Sequence, residues 1–158
     1  MTEDTAATTA VPGQRETGTA QRDTGAAAER ETRDHVTVCM PAEGAYLSVL
    51  RTATAGLAAR LDFTLDEIED LRIAVDEACA MLLAQAIPGT NLECAFDLGV
   101  DLMTITVSVT AAEPSLPAKD TFAWTVLSAL AGTVDSQLGA DDQVSIVLRK
   151  RGEASRSR

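Results

Sequence analysis

The sequence predicts an α+β two-layer sandwich, a mixed and mostly antiparallel sheet with its helices on one face. Three observations carry this expectation. Apolar residues alternate with polar ones in each strand-like stretch, so every strand has one side to bury. Two longer stretches carry apolar residues at helical spacing. The order is strand, helix, helix, strand, strand, helix, strand, which suits one sheet covered on a single side.

The first strand is His35-Val-Thr-Val-Cys-Met40, with Val36 and Val38 to one side and Pro41 as its stop. A helix follows from about Glu43 to Leu61, where Leu47, Leu50, Thr54, Leu57 and Leu61 form one stripe. Asp62-Phe63 interrupts that pattern, and Thr64-Leu-Asp-Glu67 reads as a capping box. In such a box the Thr hydroxyl accepts the amide proton three residues on, while the Glu carboxylate reaches back. Asp66 also suits the positive end of the helix. The second helix runs to about Ala86 with Ile68, Leu71, Val75, Ala78 and Leu82 inward, and Pro88-Gly89 ends it. Leu92, Cys94, Phe96 and Leu98 alternate, Gly99 turns the chain, and Met103, Ile105, Val107 and Val109 alternate again. A loop with Pro114 and Pro117 leads to a third helix over about Asp120 to Ala131. The last strand, Gln143 to Leu148, turns Val144, Ile146 and Leu148 inward.

A chain of 158 residues supports one domain with a sizeable core. Apolar residues make up 46% but aromatics only 3%, so Leu, Val, Ile and Ala must fill the core, with Trp124 expected among them. Residues 1–34 contain no Leu, Ile, Phe, Tyr or Trp and read as a disordered segment, because they cannot bury enough apolar area to offset their chain entropy. The domain is expected over 35–151, with 152–158 a disordered tail and the basic run from Arg149 onward solvated. Neither a signal peptide nor an apolar run of membrane-spanning length is visible, so the expected location is cytoplasmic. Cys39, Cys79 and Cys94 have no metal-binding spacing and are odd in number, which points to buried free thiols.

Charge is unevenly spread. Residues 35–148 hold sixteen acids and four bases, net −12, whereas 149–158 carry net +4. A domain this acidic is repelled by phosphate backbones, which argues against direct nucleic-acid binding and suits a basic protein partner. Asp62, Asp66, Glu69 and Asp70 read as a solvated face able to steer one. His35 has no second His or Cys near it at ligand spacing, so no metal site is expected there.

The stretch from Leu50 to Cys79 resembles the first two helices of the anti-sigma factors of the RsbW and SpoIIAB type, above all in Asp70-Leu-Arg-Ile-Ala-Val-Asp-Glu-Ala-Cys79. The element order and Leu127-Ser-Ala-Leu-Ala-Gly-Thr-Val-Asp135 are also similar, so the resemblance covers roughly Val36 to Arg151. It implies the histidine kinase-like ATPase fold, a serine/threonine kinase activity using ATP and Mg²⁺, and a homodimer. In that family the second helix carries a Glu and, four residues on, an Asn that helps hold Mg²⁺. Here Glu77 matches the carboxylate, but Met81 stands at the Asn position and Gln85 lies one turn further. A thioether is a poor ligand for a hard cation. From the residues alone, Glu77 is equally a surface acid and Met81 a packing residue.

The family's Asp-x-Gly-x-Gly adenine turn falls at 109–118, which has no glycine and only Glu113 as an acid. Its Gly-x-Gly phosphate turn falls at Thr121-Phe-Ala123, where Cβ atoms take the space that phosphates need. No cofactor is therefore expected, although the resemblance by itself implies ATP and Mg²⁺. Arg51 occupies the place of a first-helix Arg used against both sigma factor and antagonist. The expected function is an anti-sigma factor that sequesters an alternative RNA polymerase sigma factor. An anti-anti-sigma (STAS-type) antagonist would release it without phosphorylation. The alternative is an active kinase phosphorylating that antagonist through Glu77, and a third is an unrelated two-layer domain with some other protein partner.

Overall fold

A computed structural model describes residues 34–153. The elements are β1 (Asp34–Pro41), α1 (Leu47–Arg60), α2 (Leu65–Leu83), β2 (Asn91–Leu98), β3 (Leu102–Thr110), α3 (Phe122–Ala131), β4 (Thr133–Leu138) and β5 (Gln143–Arg151), with one 3₁₀ turn, Gly44–Tyr46, before α1. Apart from Asp34, the expected disordered segment lies outside the described residues.

The strands form one sheet in the order β1-β2-β3-β5-β4. Every pairing is antiparallel, where a mixed sheet was expected. The reason is β4, an element the periodicity does not reveal. The chain leaves β3, passes through α3 and re-enters at β4, which runs in the same direction as β3. A parallel pair would result, but β5 folds back between them and is antiparallel to both. β4 is an edge strand of Thr, Asp, Ser and Gln around a half-buried Val134, so its hydropathy carries no strand signal.

α2 packs against β3 and β5, between α1 and α3. Beneath it the inward rows of the sheet are fully buried: Leu92, Cys94 and Phe96 on β2, Met103, Ile105 and Val107 on β3, and Val144, Ile146 and Leu148 on β5. Leu50, Leu71, Val75, Ala78, Leu82, Leu127 and Trp124 close the core from the helical side. The opposite sheet face is polar. There the Ser108 and Ser145 hydroxyls meet at 2.7 Å across β3 and β5, and His35 lies 2.7 Å from Asp97 across β1 and β2.

The capping box forms as the sequence predicts: the Thr64 hydroxyl accepts the Glu67 N–H and Glu67 accepts the Thr64 N–H at 2.7 Å. Glu67 does more than cap. It is buried, and its second oxygen accepts the Glu153 N–H at 2.7 Å. Glu153 of the expected tail is therefore held against α2, while 154–158 lie outside the described residues. Lys150, expected in the solvated run, donates to the Leu130 carbonyl at 2.8 Å and to Asp70 at 3.3 Å. Gly152 is buried, and a Cβ there would meet the Phe63 ring at 3.0 Å.

Among the described residues four turns take a positive φ, two of them at Asp62 (57°) after α1 and Gly89 (80°) before β2. Gly132 (φ 82°) ends α3, where a side chain would also crowd the Arg149 carbonyl. In the β4–β5 hairpin Asp141 and Asp142 hold φ of 56° and 58° with side chains present and with like charges adjacent. Asp141→Gly is expected to raise stability by up to about 1 kcal/mol, since glycine adopts this conformation without a Cβ penalty. The check is a higher urea midpoint at an unchanged m-value.

Candidate functional site

The sequence-predicted site residues lie along the α1–α2 pair. Arg51, one turn into α1, points its guanidinium at Asp76 of α2, with Nε 3.0 Å from Oδ2. Both side chains remain part-exposed, so the pair sits at the surface. Val49 on α1 and Ile73 on α2, both half-exposed, are the exposed large apolar residues nearest in sequence to Arg51 and Asp76 respectively. A shallow depression lined by Ser48, Val49, Thr52 and Ala53 adjoins Arg51 along α1. Arg51 is therefore held by an acid that sequence reading did not single out. The only local signal was an Asp one residue before Glu77.

Of the four acids expected to form a free solvated face, two are drawn into pairs. Asp70 pairs with Lys150 and Glu69 with Arg72 three residues on. Asp62 and Asp66 are exposed.

Glu77, Met81 and Gln85 follow one another at intervals of four on α2 and its C-terminal turn. Glu77 is half-buried and makes no hydrogen bond or ion pair among the described residues. Met81 packs against the core. Gln85 is already engaged. Its side-chain amide donates to the Ser115 carbonyl and accepts the Ser115 N–H, both at 3.1 Å. The segment between β3 and α3 is thus laid against the end of α2. Ala111 forms a bridge with Ala86, and the Ile87 N–H donates to the Thr110 carbonyl at 2.9 Å. Thr121 caps α3, accepting the Trp124 N–H, and the following Phe122 is 84% exposed. Glu113 is exposed on the loop.

As a setting for Mg²⁺ and a nucleotide, these residues do not fit. α2 presents one carboxylate, a sulfur and an amide already committed to the loop, instead of a row of free oxygens. Where close backbone approach to a ring or phosphate is needed, side chains stand at every position of 109–118 and 121–123. No grouping of three or more His, Cys, Asp or Glu among the described residues is arranged to hold a metal ion. The His35 ring is spent on Asp97 and on the Thr37 hydroxyl, 3.0 Å from Nε2. Of the cysteines, Cys79 and Cys94 are buried, but Cys39 is exposed on β1, contrary to expectation. Burial, with the Asp76 charge added, pushes the Cys79 thiol up to about 12, and burial raises Cys94 as well. Both therefore stay protonated and unreactive.

No family model matches the chain. Over 90 residues it is 33% identical to the anti-sigma-F factor RsbW of Mycobacterium tuberculosis, covering 57% of this chain and 54% of that protein. It is 39% identical over 57 residues to the serine-protein kinase RsbW of Bacillus subtilis, covering 36% of each. Among solved structures it superposes on part of a chain described as the RsbU and RsbW domains of Rv1364c from Mycobacterium tuberculosis, with a TM-score of 0.60 over 75% of this chain and 32% of that one, at 14% identity. Over the matched stretch the chain is similar to RsbW proteins. That agrees with the histidine kinase-like ATPase fold expected from the second helix. The RsbW-like match spans about half the length, or less, of these curated relatives. Their names carry two activities, anti-sigma factor and serine-protein kinase.

Proposed function

We propose that this chain is an anti-sigma factor that holds an alternative RNA polymerase sigma factor in the cytoplasm. It yields that partner to an anti-anti-sigma antagonist by competition, without phosphorylating the antagonist. The observation that carries this reading is the α2 row of Glu77, Met81 and an engaged Gln85, beside an intact α1–α2 surface bearing Arg51. Partner exchange needs no chemistry. If antagonist and sigma factor share one surface, their relative affinities and concentrations decide which is bound. Arg51 supplies a guanidinium already oriented by Asp76, so little side-chain freedom is lost when a carboxylate or backbone oxygen of the partner approaches. A homodimer belongs to this reading by resemblance.

Arg51→Ala is expected to weaken capture of the sigma factor by about 1–3 kcal/mol. Its melting point should change little, because a part-exposed ion pair contributes well under about 1 kcal/mol. Unchanged capture would remove Arg51 from the interface. The competing reading, an active kinase, is favoured by one feature, the half-buried and unpaired Glu77 carboxylate. Labelled phosphate on the antagonist would establish it, and a Mg²⁺-dependent rise of several degrees in melting temperature with ATP would show a working nucleotide site. Neither is expected.

A further inference from the structure

We infer that Gln85 is a positioning residue that straps the loop between β3 and α3 to the end of α2, so that the chain sets this loop by itself without a bound nucleotide. The two amide bonds to Ser115 have the pattern of a strand pairing, one donated and one accepted, made by a single side chain. They fall at the middle of a segment whose two ends are anchored separately. At one end Ala111 bridges to Ala86 and its N–H donates to the Asp142 carbonyl at 3.0 Å. At the other, the Lys119 ammonium lies 5.4 Å from the centre of the Trp124 ring and 3.6 Å from Asp135, and the Thr121 hydroxyl donates to the Ala118 carbonyl at 3.1 Å.

Between these anchors only Gln85 reaches across to the loop with a hydrogen bond among the described residues. Pro114 and Pro117 on either side lack N–H groups and fix φ, so Ser115 is among the few backbone positions there able to pair. The same residues leave the neighbouring Leu116 half-exposed in a defined place instead of letting it collapse onto the core. The strap goes beyond the proposed function. It would hold whether or not the chain captures a sigma factor, because it concerns only the chain's own contacts.

Trypsin reads it directly. Lys119 is the only Lys or Arg between Arg72 and Arg149, so one internal cut reports opening of this loop. Cleavage needs the segment to leave its anchors, and its rate follows the population of the open form. In the full chain, Gln85→Met, which keeps the length but neither bond, is expected to speed the cut at Lys119 by about tenfold, and Gln85→Glu, which keeps the acceptor alone, by less. Cleavage at Arg72, inside α2, serves as the measure of global unfolding and should not change. Ser115→Ala should behave as the natural chain, because Gln85 binds the Ser115 backbone and not its hydroxyl. Mg·ATP added to the natural chain should leave the Lys119 rate as it is. The strap is overturned if Gln85→Met cuts no faster at Lys119, or if Lys119 and Arg72 accelerate together. A several-fold slowing of the natural chain by Mg·ATP would also overturn it, since the loop would then answer to the nucleotide. Sigma-factor capture does not enter any of these readings, and the Gln85→Met result tests the strap alone, whereas a response to Mg·ATP would count against both proposals.

Discussion

Phe96→Ala is expected to lower the unfolding free energy by about 3–5 kcal/mol, the largest effect of any single substitution considered for this domain. Phe96 is fully buried in β2, with Val36 of β1 and Ile105 of β3 as its register partners. In a chain with 3% aromatic residues its ring volume has no substitute nearby. Truncation removes the transfer free energy of the ring and leaves a cavity, because backbone pairing holds β2 at its spacing on both sides. Against a total stability of about 5–15 kcal/mol, the loss leaves a marginal domain. Phe96→Leu is expected to cost less, about 1.5 kcal/mol or below. Urea unfolding checks both, as a fall in midpoint at constant slope.

The second large effect is at Glu67 and depends on pH. Burial pushes its carboxyl up, but the Thr64 and Glu153 N–H groups, the Thr64 hydroxyl and the Lys150 charge together outweigh it, so the carboxyl is held below its ordinary value of 4.5. A group whose pKa is lower in the folded state stabilises the fold above its unfolded pKa. That contribution is lost as pH falls through the folded value. Glu67→Gln places an NH₂ against one of the two N–H donors, at a cost of about 1–3 kcal/mol at neutral pH. The difference between the natural chain and Glu67→Gln should stay constant from neutrality down to about pH 4.5 and then shrink with further acidification. A difference that persists undiminished at pH 3 would show that Glu67 contributes through packing and not through its charge.

Most of the architecture was legible because its signals are local. The Leu92–Leu98 alternation, the stripe from Ile68 to Leu82 and the Thr64–Glu67 box each involve residues a few positions apart, and a strand or helix brings those together whatever surrounds it. β4 was not legible, because an edge strand with one half-buried Val has no period to read. Nor was the anchoring of Lys150, which sits in a basic run that reads as solvated but lies under α2 and α3. At the candidate site, Met81 on α2 and the glycine-free stretches 109–118 and 121–123 were plain in the sequence. Asp76 as the partner of Arg51 was not.

By itself, then, the sequence determined the sidedness of the strands, the two-helix insertion after the first of them and the cap of α2. Tertiary structure alone decided which polar groups meet. Arg51 and Asp76 are 25 positions apart, Gln85 and Ser115 30, and Glu67 and Glu153 86. Those meetings depend on the register between packed elements. Register is set by how the buried rows of one element fit the next, a property of the whole core that no short window of sequence contains.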